Sequence, residues 1–174
     1  MANTTSTASF RLRAFVPEDL NALVRHANDP TVADNLTDAF PHPFTEEDGR
    51  AFLERFMAHE PPQVMAIEVN GEVAGAVGLH PQSDVYRCNA ELGYWLAKEY
   101  RGRGIMTAAV QQAMERGFRI LPYIDRIFAR PYGRNVASQR VLEKAGFTLE
   151  ARMAGTFIKN GRKEDELIYA VRRS

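Results

Sequence analysis

Apolar and polar residues along the first part of the chain follow the pattern of one strand and two helices. The alternation over residues 9–15 predicts a β-strand. Behind Pro17, apolar residues recur at helical spacing, and this helix is expected to end at Asp29-Pro30. Residues 31–44 are expected to form a loop or short helix. A capping box from Thr45 to Asp48 predicts the start of the second helix.

The rest of the chain alternates between strand-like runs and helices separated by turn residues. Asn70-Gly71, a strong hairpin signal, joins two strands predicted over 63–69 and 72–79. The later predicted elements are a strand over 86–97, a helix to about 119, a strand over 125–130, a helix over 135–145, and strands over 147–153 and 164–171. The order β-α-α-β-β-β-α-β-α-β-β indicates a mixed α/β (α+β) protein. Residues 9–174 are expected to form one domain behind a flexible segment at residues 1–8.

Composition narrows the function classes. Lys+Arg and Asp+Glu both total 22 in 174 residues, so no overall charge favours nucleic acid or a membrane surface. The first eight residues lack the apolar stretch of a signal peptide, and no later run has the length of a membrane span. The single cysteine, Cys88, fits a reducing compartment and is interpreted as a small strand residue rather than a nucleophile. We therefore expect a cytoplasmic monomer or homodimer.

A basic turn with two glycines, YRGRGIMT at residues 100–107, lies between the predicted strand over 86–97 and the next helix. Glycine lets the backbone approach a ligand closely, and the free N–H groups at a helix start attract anions. Arg101 and Arg103 add charge that matches phosphate oxygens. The turn therefore indicates a pyrophosphate site, although two solvated arginines at an ordinary strand–helix corner would explain the same residues.

The motif Arg101-x-x-Gly104-x-Met106 resembles the Arg/Gln-x-x-Gly-x-Gly/Ala signature of the GNAT superfamily of acyl-CoA-dependent N-acyltransferases. Met106 stands where the signature has Gly or Ala, but in the family the contact to the cofactor at this position is made by the backbone N–H, which methionine also has. Asn135-x-x-Ser138, followed by Glu-Lys-Ala-Gly-Phe at residues 143–147, resembles the later signature of the same superfamily.

Further positions resemble one branch of that superfamily, which acetylates the N-termini of ribosomal proteins and related amines. They are Arg11-Leu12-Arg13, Asp19, Asp29-Pro30, and Asp165 ahead of Tyr169. The resemblance extends over nearly the whole chain. It implies a central, mostly antiparallel sheet flanked by helices.

The resemblance also implies the reaction and the cofactor site. Acetyl-CoA would donate an acetyl group to a primary amine of a small molecule, an amino acid or a protein N-terminus, by direct attack in a ternary complex and with no metal. The residues expected to bind acetyl-CoA are Leu96, Arg101, Gly102, Arg103, Gly104, Ile105, Met106, Thr107, Asn135 and Ser138. The backbone N–H near Leu96 is expected to stabilise the oxyanion.

A base must take the proton of the attacking amine, and Glu91 is the first candidate. It lies in an otherwise apolar strand, an environment that tends to raise the pKa of a carboxyl group. Facing water or pairing with an arginine would be a purely structural role for it. His80, at the end of the preceding strand, is the second candidate, and ordered water is the third. His42 and Phe44 are candidates for shaping the amine site or, equally, members of a plain surface loop.

The departing thiolate also needs stabilisation. Many GNAT members carry a tyrosine general acid just before the Glu-Lys-x-Gly-Phe run, where this chain has Leu142. Ser138 resembles the serine of the ribosomal-protein branch and is expected to donate a hydrogen bond to the thiolate. Asn135 and Ser138 would equally suit the first turn of a helix without any catalytic role.

Two other functions compete with catalysis. Met106 and Leu142 are compatible with a non-catalytic acyl-CoA-binding module on the same fold. A glycine-loop nucleotide-binding protein is disfavoured because no Lys-Ser/Thr follows the turn. Release of free thiol in the presence of amines would distinguish an enzyme from the acyl-CoA-binding module. Calorimetry with CoA and with ATP would distinguish both from a nucleotide-binding protein.

Overall fold

Seven strands form one sheet in the computed structural model, which describes residues 9–173. The strands are β1 (Phe10–Arg13), β2 (Val64–Val69), β3 (Glu72–Pro81), β4 (Asn89–Leu96), β5 (Arg126–Ala129), β6 (Thr148–Lys159) and β7 (Arg162–Arg172). The flexible segment predicted at residues 1–8 lies outside the described residues.

The helices follow the predicted order, with one short addition. They are α1 (Leu20–Ala27), α2 (Pro30–Ala33), α3 (Glu46–Met57), α4 (Ile105–Ile120) and α5 (Val136–Lys144). Pro30 begins α2 because its missing N–H is not needed at a first turn, and the Asp29 side chain caps the helix at Thr31 N. The capping box at Thr45 and Asp48 is present at the start of α3, as predicted.

The strand order is β1-β2-β3-β4-β5-β7-β6, and β4–β5 is the parallel pair among these neighbours. The mostly antiparallel sheet flanked by helices that the resemblance implied is confirmed. Asn70-Gly71 joins β2 to β3 and Asn160-Gly161 joins β6 to β7, each with positive φ at both residues. These turns match the twist of the flanking strands.

Each face of the sheet has its own hydrophobic core because side chains alternate along every strand. On β4, Leu92 and Leu96 join the core beneath α4 and α5, whereas Trp95 joins the core beneath α1 and α3. The buried residues of α4, among them Met106 and Val110, join the first of these cores.

Two boundaries differ from the prediction. β4 begins at Asn89, because residues 84–86 form a 3-10 turn in which Val85 and Tyr86 are exposed. Cys88 lies in the turn before β4 and is exposed, so its interpretation as a small strand residue is wrong. The last hairpin is longer than predicted, since β6 reaches Lys159 and β7 starts at Arg162. Most of β6 is solvent-exposed and lacks a clean apolar alternation, so the sequence gives little signal for its second half.

Candidate active site

A cleft opens in the sheet where β4 and β5 separate. Their parallel register ends at the pair Glu91 and Phe128, although β4 continues to Leu96. Beyond β5 the chain stays with β7, through a hydrogen bond from Leu167 N to Pro131 O of 3.1 Å. Among residues 9–173, the second half of β4 therefore has no strand on its β5 side.

The backbone N–H of Leu96 points into this cleft. Ala97 N donates to Ala74 O of β3 at 2.7 Å, so the N–H of residue 97 faces β3. Successive N–H groups of a strand point to opposite edges, which directs the N–H groups of Leu96 and Tyr94 to the β5 side. A carbonyl oxygen lying in the cleft would meet a fixed donor of the kind predicted near Leu96.

The glycine turn ends at the start of α4 in the geometry of an anion site. Gly102 and Gly104 have φ values of 73° and 77°, in the left-handed region, and Gly104 is the N-cap. No side chain of the described residues caps α4, so the N–H groups of Ile105, Met106 and Thr107 are free to donate to a phosphate. A Cβ at Gly102 would meet nothing within 4 Å, which leaves this side of the turn open.

The remaining loop residues have different roles from one another. Met106 is 9% exposed and packs into the core, so its side chain does not obstruct the main chain. Arg103 is exposed, with its guanidinium 5.8 Å from the ring centroid of Tyr100. Arg101 instead donates to Leu96 O at 2.9 Å and to Thr31 Oγ1 at 3.0 Å. Arg101 therefore holds the turn to the end of β4 and to α2 through these hydrogen bonds.

Helix α5 borders the cleft on its other side. Asn135 caps this helix by accepting a 3.2 Å hydrogen bond from Ser138 N. The Ser138 hydroxyl lies 2.6 Å from the hydroxyl of Tyr94, on the free half of β4. Leu142 is fully buried in the core, so α5 offers no tyrosine-like group at that position.

Glu91 and His80 lie directly opposite each other on β4 and β3. The His80 ring lies over Gly93, where an added Cβ would be 3.5 Å from its Nε2. Burial lowers the pKa of His80 below its ordinary value of 6.5, and the negative charge of Glu91 offsets only part of this effect. The imidazole is therefore neutral at pH 7 and able to accept a proton.

Arg130 engages the Glu91 carboxylate. Its Nε and Nη2 donate to the two oxygens of Glu91 at 2.9 and 3.2 Å, and its Nη1 lies 3.5 Å from Glu166. One guanidinium thus faces two carboxylates. The arginine pairing considered for Glu91 from the sequence is present.

The loop after α2 lies on the same side of the sheet as Trp95. Phe44 is 2% exposed and stacks on Phe40, whose ring centroid is 6.0 Å from that of Trp95. His42 is exposed. Phe44 is therefore a core residue, and Phe40 is the aromatic side chain of this loop next to β4.

Sequence reasoning missed Tyr94 and Arg130. Tyr94 lies in an apolar run that signals only a strand, and Arg130 follows one. Their partners are 44 and 39 residues away in the chain. The resemblance pointed to Ser138 but gave no indication of what touches its hydroxyl.

A family model described as the acetyltransferase (GNAT) domain matches residues 9–148. The chain belongs to the GNAT acetyltransferase family. Among solved structures, RimL, a ribosomal L7/L12 alpha-N-protein acetyltransferase in complex with coenzyme A, superposes with a TM-score of 0.82 and 26% identity. The match covers 97% of this chain and 96% of RimL.

The curated relatives that match are N-acetyltransferases by name. YdaF of Bacillus subtilis is 33% identical over 102 residues, 59% of this chain and 55% of YdaF. YjcK of Bacillus subtilis is 42% identical over 82 residues, 47% of this chain and 45% of YjcK. The chain thus spans about half the length of these two relatives. The spermidine N(1)-acetyltransferase of Escherichia coli K12 is 27% identical over 162 residues, 90% of this chain and 82% of that enzyme.

Residues 9–173 contain no group of three or more His, Cys, Asp or Glu side chains placed to hold a metal ion. Within the same range, every helix is too short or too polar to cross a bilayer.

Proposed function

We propose that this GNAT domain, residues 9–174, is an N-acetyltransferase that moves an acetyl group from acetyl-CoA to a primary amine. The observation that carries this proposal is the cleft beside the free half of β4. The uncapped start of α4, the Leu96 N–H and the Ser138 hydroxyl all border it. They supply donors for a pyrophosphate, for a developing oxyanion and for a thiolate.

The reaction then uses the residues of this cleft in sequence. The amine nitrogen attacks the thioester carbonyl carbon, and the Leu96 N–H donates to the oxyanion that forms. The amine proton passes to a base, the C–S bond breaks with its electron pair on sulfur, and Ser138 donates a hydrogen bond to the thiolate. The thiolate later takes a proton from solvent.

We propose His80 as the proton acceptor and Glu91 as its electrostatic partner. The lowered pKa of His80 leaves its imidazole neutral, whereas both oxygens of Glu91 already accept hydrogen bonds from Arg130. Proton transfer to Glu91 itself stays the alternative prediction. The pH–rate profiles of His80 and Glu91 variants distinguish the two. Asn135 is proposed to support the cofactor arm through its amide, in addition to capping α5.

The charges near the base favour an acceptor with one ammonium group. Arg130 neutralises one of the two carboxylates that it faces, Glu91 and Glu166, which leaves about one negative charge beside the cleft. Farther along the hairpin, Lys159 pairs with Asp38. A polyamine would need several free carboxylates. Since RimL acts on a protein N-terminus, we propose a protein or peptide N-terminus as the acceptor.

An amine panel with acetyl-CoA tests the function. Peptides starting with Met, Ser or Ala, free amino acids and spermidine would each be supplied while thiol release is followed. We expect turnover with at least one peptide and little with spermidine. Calorimetric binding of CoA, with no thiol release across the panel, would instead identify a non-catalytic acyl-CoA-binding module. Preference for spermidine would overturn the acceptor proposal alone.

We also propose that the protein works in the cytoplasm as a monomer or homodimer. The exposed free thiol of Cys88 would persist in a reducing compartment. Size-exclusion chromatography with light scattering would give the oligomeric state, and an assembly larger than a dimer would contradict this proposal.

A further inference from the structure

A tyrosine of β4 and a serine of α5 form a hydrogen bond across the cleft. The Tyr94 and Ser138 hydroxyl oxygens are 2.6 Å apart, and both side chains are half-buried. β5 has already separated from β4 at this level, so no strand of the described part of the chain lies between the two elements on this side. The contact ties the candidate thiolate donor to the central strand.

The chemistry of the two hydroxyls sets the direction of this bond. A phenol is a stronger acid than an aliphatic alcohol, so the Tyr94 O–H is the better donor. Burial raises the pKa of Tyr94 to about 12, which keeps the phenol protonated throughout the working range. Ser138 Oγ then accepts from Tyr94, and the serine's own proton remains free to point into the cleft.

We propose that Tyr94 is a positioning residue: its hydroxyl orients Ser138 so that the serine O–H donates to the departing thiolate. This inference rests on the proposed acetyltransferase function. Without Tyr94, the serine hydroxyl can rotate and donate its hydrogen bond to a nearby carbonyl oxygen instead. With Tyr94, one acceptor site of Ser138 is filled and its rotation is restricted before the reaction begins.

The bond also has a polar effect on the transition state. Tyr94 donates to Ser138 while Ser138 donates to sulfur, so the two hydroxyls form a chain that disperses the developing negative charge. The leaving group remains a thiolate held by a hydrogen bond, because a phenol with a pKa of about 12 is too weak an acid to protonate it fully.

Tyr94→Phe tests the inference, because it removes the hydroxyl and keeps the ring. We expect kcat to fall about tenfold, the effect of one hydrogen bond, with KM for acetyl-CoA nearly unchanged. Adding Tyr94→Phe to Ser138→Ala should cost little more, since the tyrosine acts through the serine. Tyr86→Phe, at an exposed tyrosine of the β3–β4 loop, is the matched control.

A donor with a better leaving group distinguishes a positioning role from a purely structural one, because only the positioning role predicts a smaller kcat defect with that donor. The selenium analogue of acetyl-CoA expels a more stable selenolate, which needs less hydrogen-bond stabilisation. The Tyr94→Phe defect in kcat should therefore shrink several-fold with this donor, whereas a loosened fold would slow both donors equally. Melting temperatures of the same preparations show whether each variant is folded.

The outcomes separate this inference from the proposed function. Wild-type protein that releases no thiol with any amine contradicts the acetyltransferase proposal itself. Active wild-type protein together with a fully active Tyr94→Phe variant overturns the positioning role alone. An equal loss with both donors, or an additive loss in the double variant, also overturns it.

Discussion

At the scale of single residues, the ability of a side chain to accept the amine proton depends on whether neighbouring residues already occupy its acceptor atoms. Glu91 has the position expected of a base, yet Arg130 occupies both of its oxygens. His80 is neutral because burial of its ring lowers its pKa, and the ring lies over Gly93. Tertiary contacts, more than residue type, therefore decide which of the two groups is free to accept a proton.

The pH dependence of the rate should report His80. Because the pKa of His80 is lowered from 6.5, the base is lost only as pH falls below that value, and kcat/KM should decline on this acid side. His80→Gln should slow turnover about 100-fold and remove that limb. For Glu91→Gln we expect a smaller loss with the limb retained. A limb that disappears only in Glu91→Gln would show that Glu91 takes the proton.

Ser138→Ala should lower turnover roughly 10- to 100-fold, because a hydrogen bond to a charged group contributes about 1.5–3 kcal/mol. The loss should fall on kcat and spare acetyl-CoA binding, since the negative charge develops only as the thiolate leaves. Kinetics and melting temperature should be measured on one preparation. A slightly less stable but fully active variant would mean that Ser138 serves only the first turn of α5.

At the scale of elements, the proposed cofactor site depends on how α4 begins. Its N-cap glycine has left-handed backbone, and its first turn keeps free N–H groups because no described side chain caps it. Arg101 fixes the preceding turn to the end of β4. The proposed anion site is thus a property of the strand–turn–helix junction rather than of one basic side chain.

Gly104→Val should abolish acetyl-CoA binding while the protein stays folded. Valine at a φ of 77° is strained by about 1–2 kcal/mol and would rearrange the turn. Gly71→Val is the matched control, since Gly71 has a φ of 86° in the β2–β3 turn and nothing within 4 Å of a Cβ. Calorimetry on both variants is decisive: equal affinity in a folded Gly104→Val variant excludes this turn as the cofactor site.

At the scale of the whole molecule, ion pairs fasten distant parts of the chain to the sheet. Arg11 and Arg13 of β1 both donate to Glu68 of β2, and Arg13 also binds Asp19 with two hydrogen bonds of 2.7 Å. At the other end, buried Lys159 of β6 binds Asp38 at 2.7 Å and secures the loop after α2. These contacts lie at the two edge strands of the sheet, β1 and β6.

Acid should weaken the first of these clusters in a defined pH range. Hydrogen bonds from Arg11 and then Arg13 lower the pKa of Glu68 from 4.5 to about 2. The stabilisation is therefore complete above pH 4.5 and is lost as pH falls towards 2. Glu68→Gln should destabilise the fold by about 1 kcal/mol at pH 7, after allowance for solvent screening.

Thermal melts from pH 7 to pH 2 measure this effect. The gap in melting temperature between wild type and Glu68→Gln should close as pH falls to about 2. Glu54→Gln, at an exposed glutamate of α3, controls for the loss of a charge. A gap that stays constant with pH would contradict the ion-pair explanation.

The sequence by itself determined the order of the main elements, the Asn70-Gly71 hairpin and the glycine turn before α4. These features depend on signals within a few residues: alternation, helical periodicity, caps and residues that tolerate positive φ. The family resemblance also pointed to Ser138 and Asn135. Local chemistry was sufficient because each of these features forms largely within one short segment.

Only the tertiary structure decided where the cleft opens and which groups are free within it. β5 follows β7 away from β4 because of pairing between strands that are far apart in the chain. Tyr94 meets Ser138, and Arg130 meets Glu91, across 44 and 39 residues. No local pattern encodes such contacts, because they arise from the registers of the strands and the packing of α5 on the sheet.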